Sequence, residues 1–99
     1  MILVTGSVVA RPETFEEVRR LSLEHVRRSR NEHGCISHAV HADCENPLRL
    51  MFVEQWADRA ALHAHFAVPA SRDFVAALRP LASDTPTIEI YEALKLEKL

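Results

Sequence analysis

The chain has 99 residues, 47% of them hydrophobic and 26% charged, with a formal net charge of −2. That balance is ordinary for a globular chain and lacks the clustered basic surface that a nucleic-acid partner needs. With no apolar run near the ~18 residues of a membrane span and no charged segment leading into a short apolar one, the expectation is a single cytoplasmic domain over residues 1–99, without a membrane partner.

Ile2 to Ala10, rich in Val, Ile, Leu and Thr, predicts a strand that Arg11-Pro12 breaks. A helix is expected from Glu13 or Thr14 to about Glu32. Thr14 and Glu17 have the spacing of a capping box, and Phe15, Val18, Ser22, His25 or Val26, and Ser29 fall on one face. Gly34 is the natural stop. The basic run Arg27-Arg28-Ser29-Arg30 lies at the negative end of that helix and reads as a complement to its macrodipole, not as a phosphate site.

Cys35 to Asp43 predicts a second strand, with Ile36, His38, Val40 and Ala42 on one face. Glu45-Asn46-Pro47 signals a turn, and Leu48 to Ala57 a third strand, so the two strands form a hairpin. Asp58 is a good N-cap for a helix over Arg59 to Phe66, where Ala61, Leu62, His65 and Phe66 share a face and His65 points inward. The helix should end near Val68-Pro69. Another begins at Ser71, with Phe74, Val75, Leu78 and Leu81 on one side. After the break at Asp84-Thr85-Pro86, Thr87 to Leu96 alternates as a fourth strand. Cys35 and Cys44 form no CxxC pair and read as reduced thiols.

Strand, helix, strand, strand, helix in two pieces, strand is the βαββαβ order of an α+β, ferredoxin-like fold: a four-stranded antiparallel sheet with helices on one face. Glu54 and Trp56, two apart on a strand, share a face. A helix folded over that face brings Glu54, Trp56 and His65 into one apolar space. The other face would carry Leu3, Val9, Met51, Val53 and Tyr91, too apolar to be fully wetted, which predicts a homodimer packed sheet to sheet.

Glu32-x-Gly34-Cys35, Asn46-Pro47, Glu54-x-Trp56, Ala61-Leu62-x-x-His65 and Pro69, in this order over nearly the whole chain, resemble the antibiotic biosynthesis monooxygenase domain. The resemblance implies a dimeric α+β barrel with a pocket between helices and sheet in each subunit. It also implies oxidation of a small quinol or phenolic aromatic by O₂ without a cofactor. Such chemistry needs a base to form the electron-rich phenolate, a pocket that excludes water, and donors to steady the anion. His65 suits the base, since imidazole titrates near ~6.5. Trp56 suits an aromatic wall with an N–H donor, and Glu54 either orients His65 or is a buried structural carboxylate. His25, His38, Phe52, Leu62, Phe66 and Phe74 are the expected lining. Where many members carry a Tyr this chain has His38, and where one polyketide-oxidising member carries an Asn four before the Trp it has Phe52.

Other readings use the same pocket. A dimeric module that binds a small aromatic without turning it over needs no base, and an isomerase or lyase would move a proton without O₂. Haem degradation is disfavoured, because no His follows His65 where that branch places its haem ligand. Of the six histidines, His38 and His41 face opposite ways on a strand, and His63 and His65 diverge on a helix. A metal site would have to join His25, His38 and His65 from three elements with Glu54, and none is expected.

Overall fold

A computed structural model describes residues 1–99. Its elements are β1 (Ile2–Val9), α1 (Phe15–Ser29), β2 (Cys35–Ala42), β3 (Arg49–Trp56), α2 (Arg59–Ala67), α3 (Pro69–Leu78) with a 3₁₀ turn at Arg79–Leu81, and β4 (Thr87–Glu92). All neighbouring strands pair antiparallel, in the order β2-β3-β1-β4. This is the expected ferredoxin-like α+β arrangement. The helices lie over the face that carries Ile2, Val4 and Val8 of β1 and Leu50, Phe52, Glu54 and Trp56 of β3, all of them buried.

Alternation along β3 divides the core. Phe52 and Leu50 join Val8, Val18, Val26 and Leu78 in one apolar cluster. Trp56 joins Ile2, Val4, Ala61 and Leu62 in another. Glu54 stands between Phe52 and Trp56 on the same face, so a carboxylate marks the boundary between the two clusters.

The helix starts and stops obey local chemistry. The Asp58 carboxylate accepts from the Ala61 N–H at 2.8 Å, the expected cap of α2. The Thr14–Glu17 capping box does not form. Thr14 Oγ1 instead accepts from the Arg11 N–H and donates to the Leu81 carbonyl at 2.7 Å, tying the entry to α1 to the turn after α3. α1 ends at Ser29, short of Glu32, and the chain turns through Gly34, whose φ is +82°. α3 begins at Pro69, two residues before the expected Ser71, because proline's fixed φ suits a first helical position. On α3 Leu78 is buried, but Val75 is turned outward.

Two strand expectations change. β4 stops at Glu92, not Leu96: its partner β1 begins at Ile2, and past the Met1–Ala93 backbone contacts there is no strand to pair with. In β2 the register shifts between Cys35 and Ser37. The extra residue of this bulge reverses the alternation, so Cys35 rather than Ile36 faces the helices with His38 and Val40, and Ile36 is exposed.

Candidate functional site

Three elements each contribute one buried imidazole to the same space. His25 comes from the α1 stripe that also buries Val18, Ser22 and Val26. His38 comes from the inner face of β2 and His65 from the inner face of α2. Their ring centroids lie 5.3 Å (His25–His38), 5.3 Å (His25–His65) and 5.6 Å (His38–His65) apart. Trp56 lies against His65 with centroids 4.5 Å apart, and Phe74 stacks on His25 at 4.1 Å with nearly parallel rings.

Each imidazole has its own polar neighbour. His65 Nδ1 is 2.7 Å from Glu32 Oε1, the geometry of an imidazole N–H donating to a carboxylate. Glu54 does not orient His65. The β2–β3 register sets Glu54 opposite His38, and its Oε1 accepts from the Trp56 indole N–H at 2.9 Å and lies 3.2 Å from His38 Nε2. The last contact lacks hydrogen-bond alignment, and both His38 nitrogens are buried without a hydrogen-bond partner. His25 Nδ1 accepts from the Arg28 guanidinium at 2.7 Å, which places the proton of that neutral ring on Nε2.

Sequence reasoning did not assign a role to Glu32 or Arg28. Glu32 lies on the turn after α1, where no periodicity predicts its direction. The available signal was its position two before Gly34, where a tight turn brings the chain against α2. Arg28 belongs to the run read as a macrodipole complement. In the fold Arg28 reaches His25, and Arg30 donates to the His38 carbonyl at 2.9 Å.

Burial and neighbouring charge tune these groups. Burial pushes the Glu54 carboxyl up, but His38, the indole N–H and His65 outweigh it, and the net shift is downward, favouring the carboxylate. The Cys35 thiol is pushed up by burial, reinforced by Glu32 and Glu54, and both Cys35 and Cys44 are free.

His25 is held neutral: burial first, then the charges of His38, His65 and Arg28, lower its pKa from 6.5 to about 3. The groups facing it are Arg28 from its own helix, His38 from β2, His65 from α2, and the uncharged ring of Phe74 from α3. The unfolded chain therefore takes a proton at this residue below pH 6.5 that the folded chain refuses until about pH 3. Folding free energy should fall with decreasing pH in that window, at up to ~1.4 kcal/mol per pH unit from this residue. Glu54 acts in the same direction but in a more acidic window: its contribution is present above the ordinary carboxyl value of 4.5 and is lost as pH falls below it. Denaturant unfolding at pH 7, 6 and 5 should thus show a slope that His25→Gln flattens. Equal midpoints for the wild type across that range would refute the assignment.

A cavity of about 800 Å³ opens beside this cluster between α3, β1 and the start of β4, a size suited to a small organic molecule. His25, Glu54 and His65 lie on its wall, with Phe52, Phe66 and Phe74 as aromatic lining. The remaining expected site residues are elsewhere. His38 and Trp56 are packed behind the wall, and the Trp56 N–H, expected to face a substrate oxyanion, is engaged by Glu54. Leu62 faces a separate hollow with Ile2, Ile90 and Tyr91.

The ferredoxin-like sheet thus sets a carboxylate-held imidazole beside a space of small-molecule size. The chain belongs to the antibiotic biosynthesis monooxygenase family, which it matches over residues 1–77. It is 34% identical to an uncharacterised protein of Synechocystis, over 99% of this chain and 67% of that one. Among solved structures it is similar to a Deinococcus radiodurans protein named for the same family, with a TM-score of 0.94, 28% identity and coverage of 100% of this chain and 98% of that one. A Mycobacterium tuberculosis protein, 21% identical with a TM-score of 0.90 and 98% coverage of both chains, shares the fold. The family and the Deinococcus neighbour are both named for monooxygenase activity. No helix is long and apolar enough to cross a membrane.

Proposed function

We propose that the protein oxidises a small quinol or phenolic aromatic with O₂, without flavin or metal, and that His65 is the base. The observation that carries this reading is the buried His65 imidazole on the wall of the cavity, held from behind at Nδ1 by the Glu32 carboxylate. A proton on Nδ1 held by Glu32 leaves the Nε2 lone pair free to take a hydroxyl proton. The phenolate formed is electron-rich enough to reduce O₂. One oxygen atom enters the ring and the other leaves as water. A quinol converted to a hydroxyquinone supplies all four electrons that O₂ accepts. Phe52, Phe66 and Phe74 would hold the aromatic ring and exclude water from it.

The test is O₂ uptake on a panel of quinols and anthrone-like phenols, in air and under nitrogen, with nothing added. Uptake coupled to product supports the reading. Binding that raises the melting temperature without O₂ uptake would assign the protein to the binding modules. Conversion under nitrogen would assign it to the isomerases or lyases.

The homodimer through the open sheet face belongs to the same proposal. Leu3, Val9 and Met51 are half-buried there, and Val53 and Tyr91 are exposed. Covering them removes apolar surface from water. Light scattering at micromolar concentration should give twice the 11.2 kDa chain mass. A monomeric mass would rule the dimer out.

A further inference from the structure

We propose that His25, His38 and His65 together form a three-imidazole binding site for a divalent transition-metal ion of the zinc, copper or nickel class. One nitrogen from each of the three rings lies within 4.8 Å of the others, and all three residues are buried. An ion held ~2.1 Å from each in tetrahedral geometry would set the nitrogens about 3.4 Å apart, so each ring moves by less than ~1 Å.

A second observation points the same way. The His38 side chain is wholly buried; its Nε2 lies 3.2 Å from Glu54 Oε1 without hydrogen-bond alignment, and its Nδ1 has no polar partner at all. Buried polar atoms are nearly always satisfied, and an imidazole with no partner has a lone pair available to a metal. The surroundings fit a cation. Glu32 already fixes His65 through Nδ1, the arrangement by which a carboxylate orients a ligating imidazole. Glu54, 3.2 Å from His38, adds a second negative charge, opposite Arg28 at the His25 ring and Arg30 at the His38 carbonyl. A set of nitrogen donors without a thiolate suits zinc, copper or nickel, not calcium or magnesium. Because His25 and His65 lie on the cavity wall, the ion keeps a coordination position facing the cavity.

Arg28 is the competing partner. It occupies the Nδ1 lone pair of His25, so for His25 to bind through Nε2 the ring proton moves to Nδ1 and the guanidinium lets go. The site goes beyond the proton-abstraction reading and excludes it while filled, since His65 Nε2 cannot hold an ion and take a proton at once.

The experiment is a Co²⁺ titration of the chelator-washed full chain, followed in the visible ligand-field bands and reversed with Zn²⁺. The expected result is one Co²⁺ per chain at micromolar concentration. His38→Asn and His25→Gln should each weaken binding about 100-fold, while replacing the exposed His33, His41 and His63 together by Asn leaves it unchanged. Thermal melts establish which variants are folded, and His25→Gln decides if His38→Asn is not. The proposal is overturned if no bands appear at millimolar Co²⁺, if the folded variants bind as the wild type does, or if the surface variant loses the bands. The readout is binding and not turnover, so its failure leaves the oxygenase reading standing, and failure of the quinol panel leaves the metal site standing.

Discussion

Replacing His65 with alanine should slow O₂ uptake on a quinol by about 10²- to 10⁴-fold, the range over which a positioned general base acts. The two other titratable groups of the cluster that reach the cavity wall, His25 and Glu54, are poor substitutes. His25 has its Nδ1 occupied by Arg28 and a pKa lowered to about 3, so it is too weak a base near neutrality. Glu54 is held below the ordinary carboxyl range and already accepts from Trp56. Glu32→Gln leaves the imidazole in place but removes the carboxylate that holds its Nδ1 proton. Its loss should be smaller, roughly tenfold, and confined to kcat, because Glu32 positions the base without lining the cavity. An oxygen electrode with saturating quinol checks both. Uptake by His65→Ala at the wild-type rate would remove His65 from the mechanism. A Glu32→Gln defect confined to KM would remove Glu32 from its positioning role.

The second large effect is on stability. Gly34→Ala should lower the unfolding free energy by about 3 kcal/mol, on the order of 15 °C in Tm for a domain of this size. Two penalties add. Gly34 has φ +82°, where an L side chain meets its own backbone, and a Cβ there would lie 2.4 Å from the Ala61 Cβ. The two can be separated. In an Ala61→Gly background the methyl has nothing to strike, and Gly34→Ala should cost only the backbone part, ~1–2 kcal/mol. Equal losses in both backgrounds would show that the Ala61 contact is not what excludes a side chain. The position matters for the site because Ala61 begins the turn of α2 that delivers His65.

The strand and helix order was legible because each element carries a strong local signal: Val-rich alternation in β1, the Asp58 cap, the glycine stop at Gly34. The inward direction of His65 came from helical spacing alone, since Ala61, Leu62 and His65 repeat on one face and all three are buried. What could not be read depends on side chains meeting across elements. Glu32 and Arg28 sit where a helix ends, and a helix end gives no period from which to predict direction. The meeting of His25, His38 and His65 requires three separate packing angles, and pairwise spacings along the chain hold no trace of it. The capping box failed for a related reason: Thr14 found a longer-range acceptor in Leu81, which local sequence cannot weigh. β4 fell short because its length is set by the start of β1, not by its own alternation.

The bulge in β2 acts as slack between two fixed points. Upstream, the Gly34 carbonyl accepts from the Ala57 N–H at 2.8 Å, which anchors the strand entry to the start of α2. Downstream, His38 must stand opposite Glu54. A regular strand would join these points with one residue fewer, and the surplus is accommodated by Ile36, which points to solvent. Deleting Ile36 would therefore leave Cys35 and His38 facing the helices, whereas deleting any single residue between His38 and Ala42 would turn the remainder of the strand outward. In aligning relatives, a one-residue gap is physically permitted at this spot and forbidden just after it, so chains of unequal length can carry the same wall.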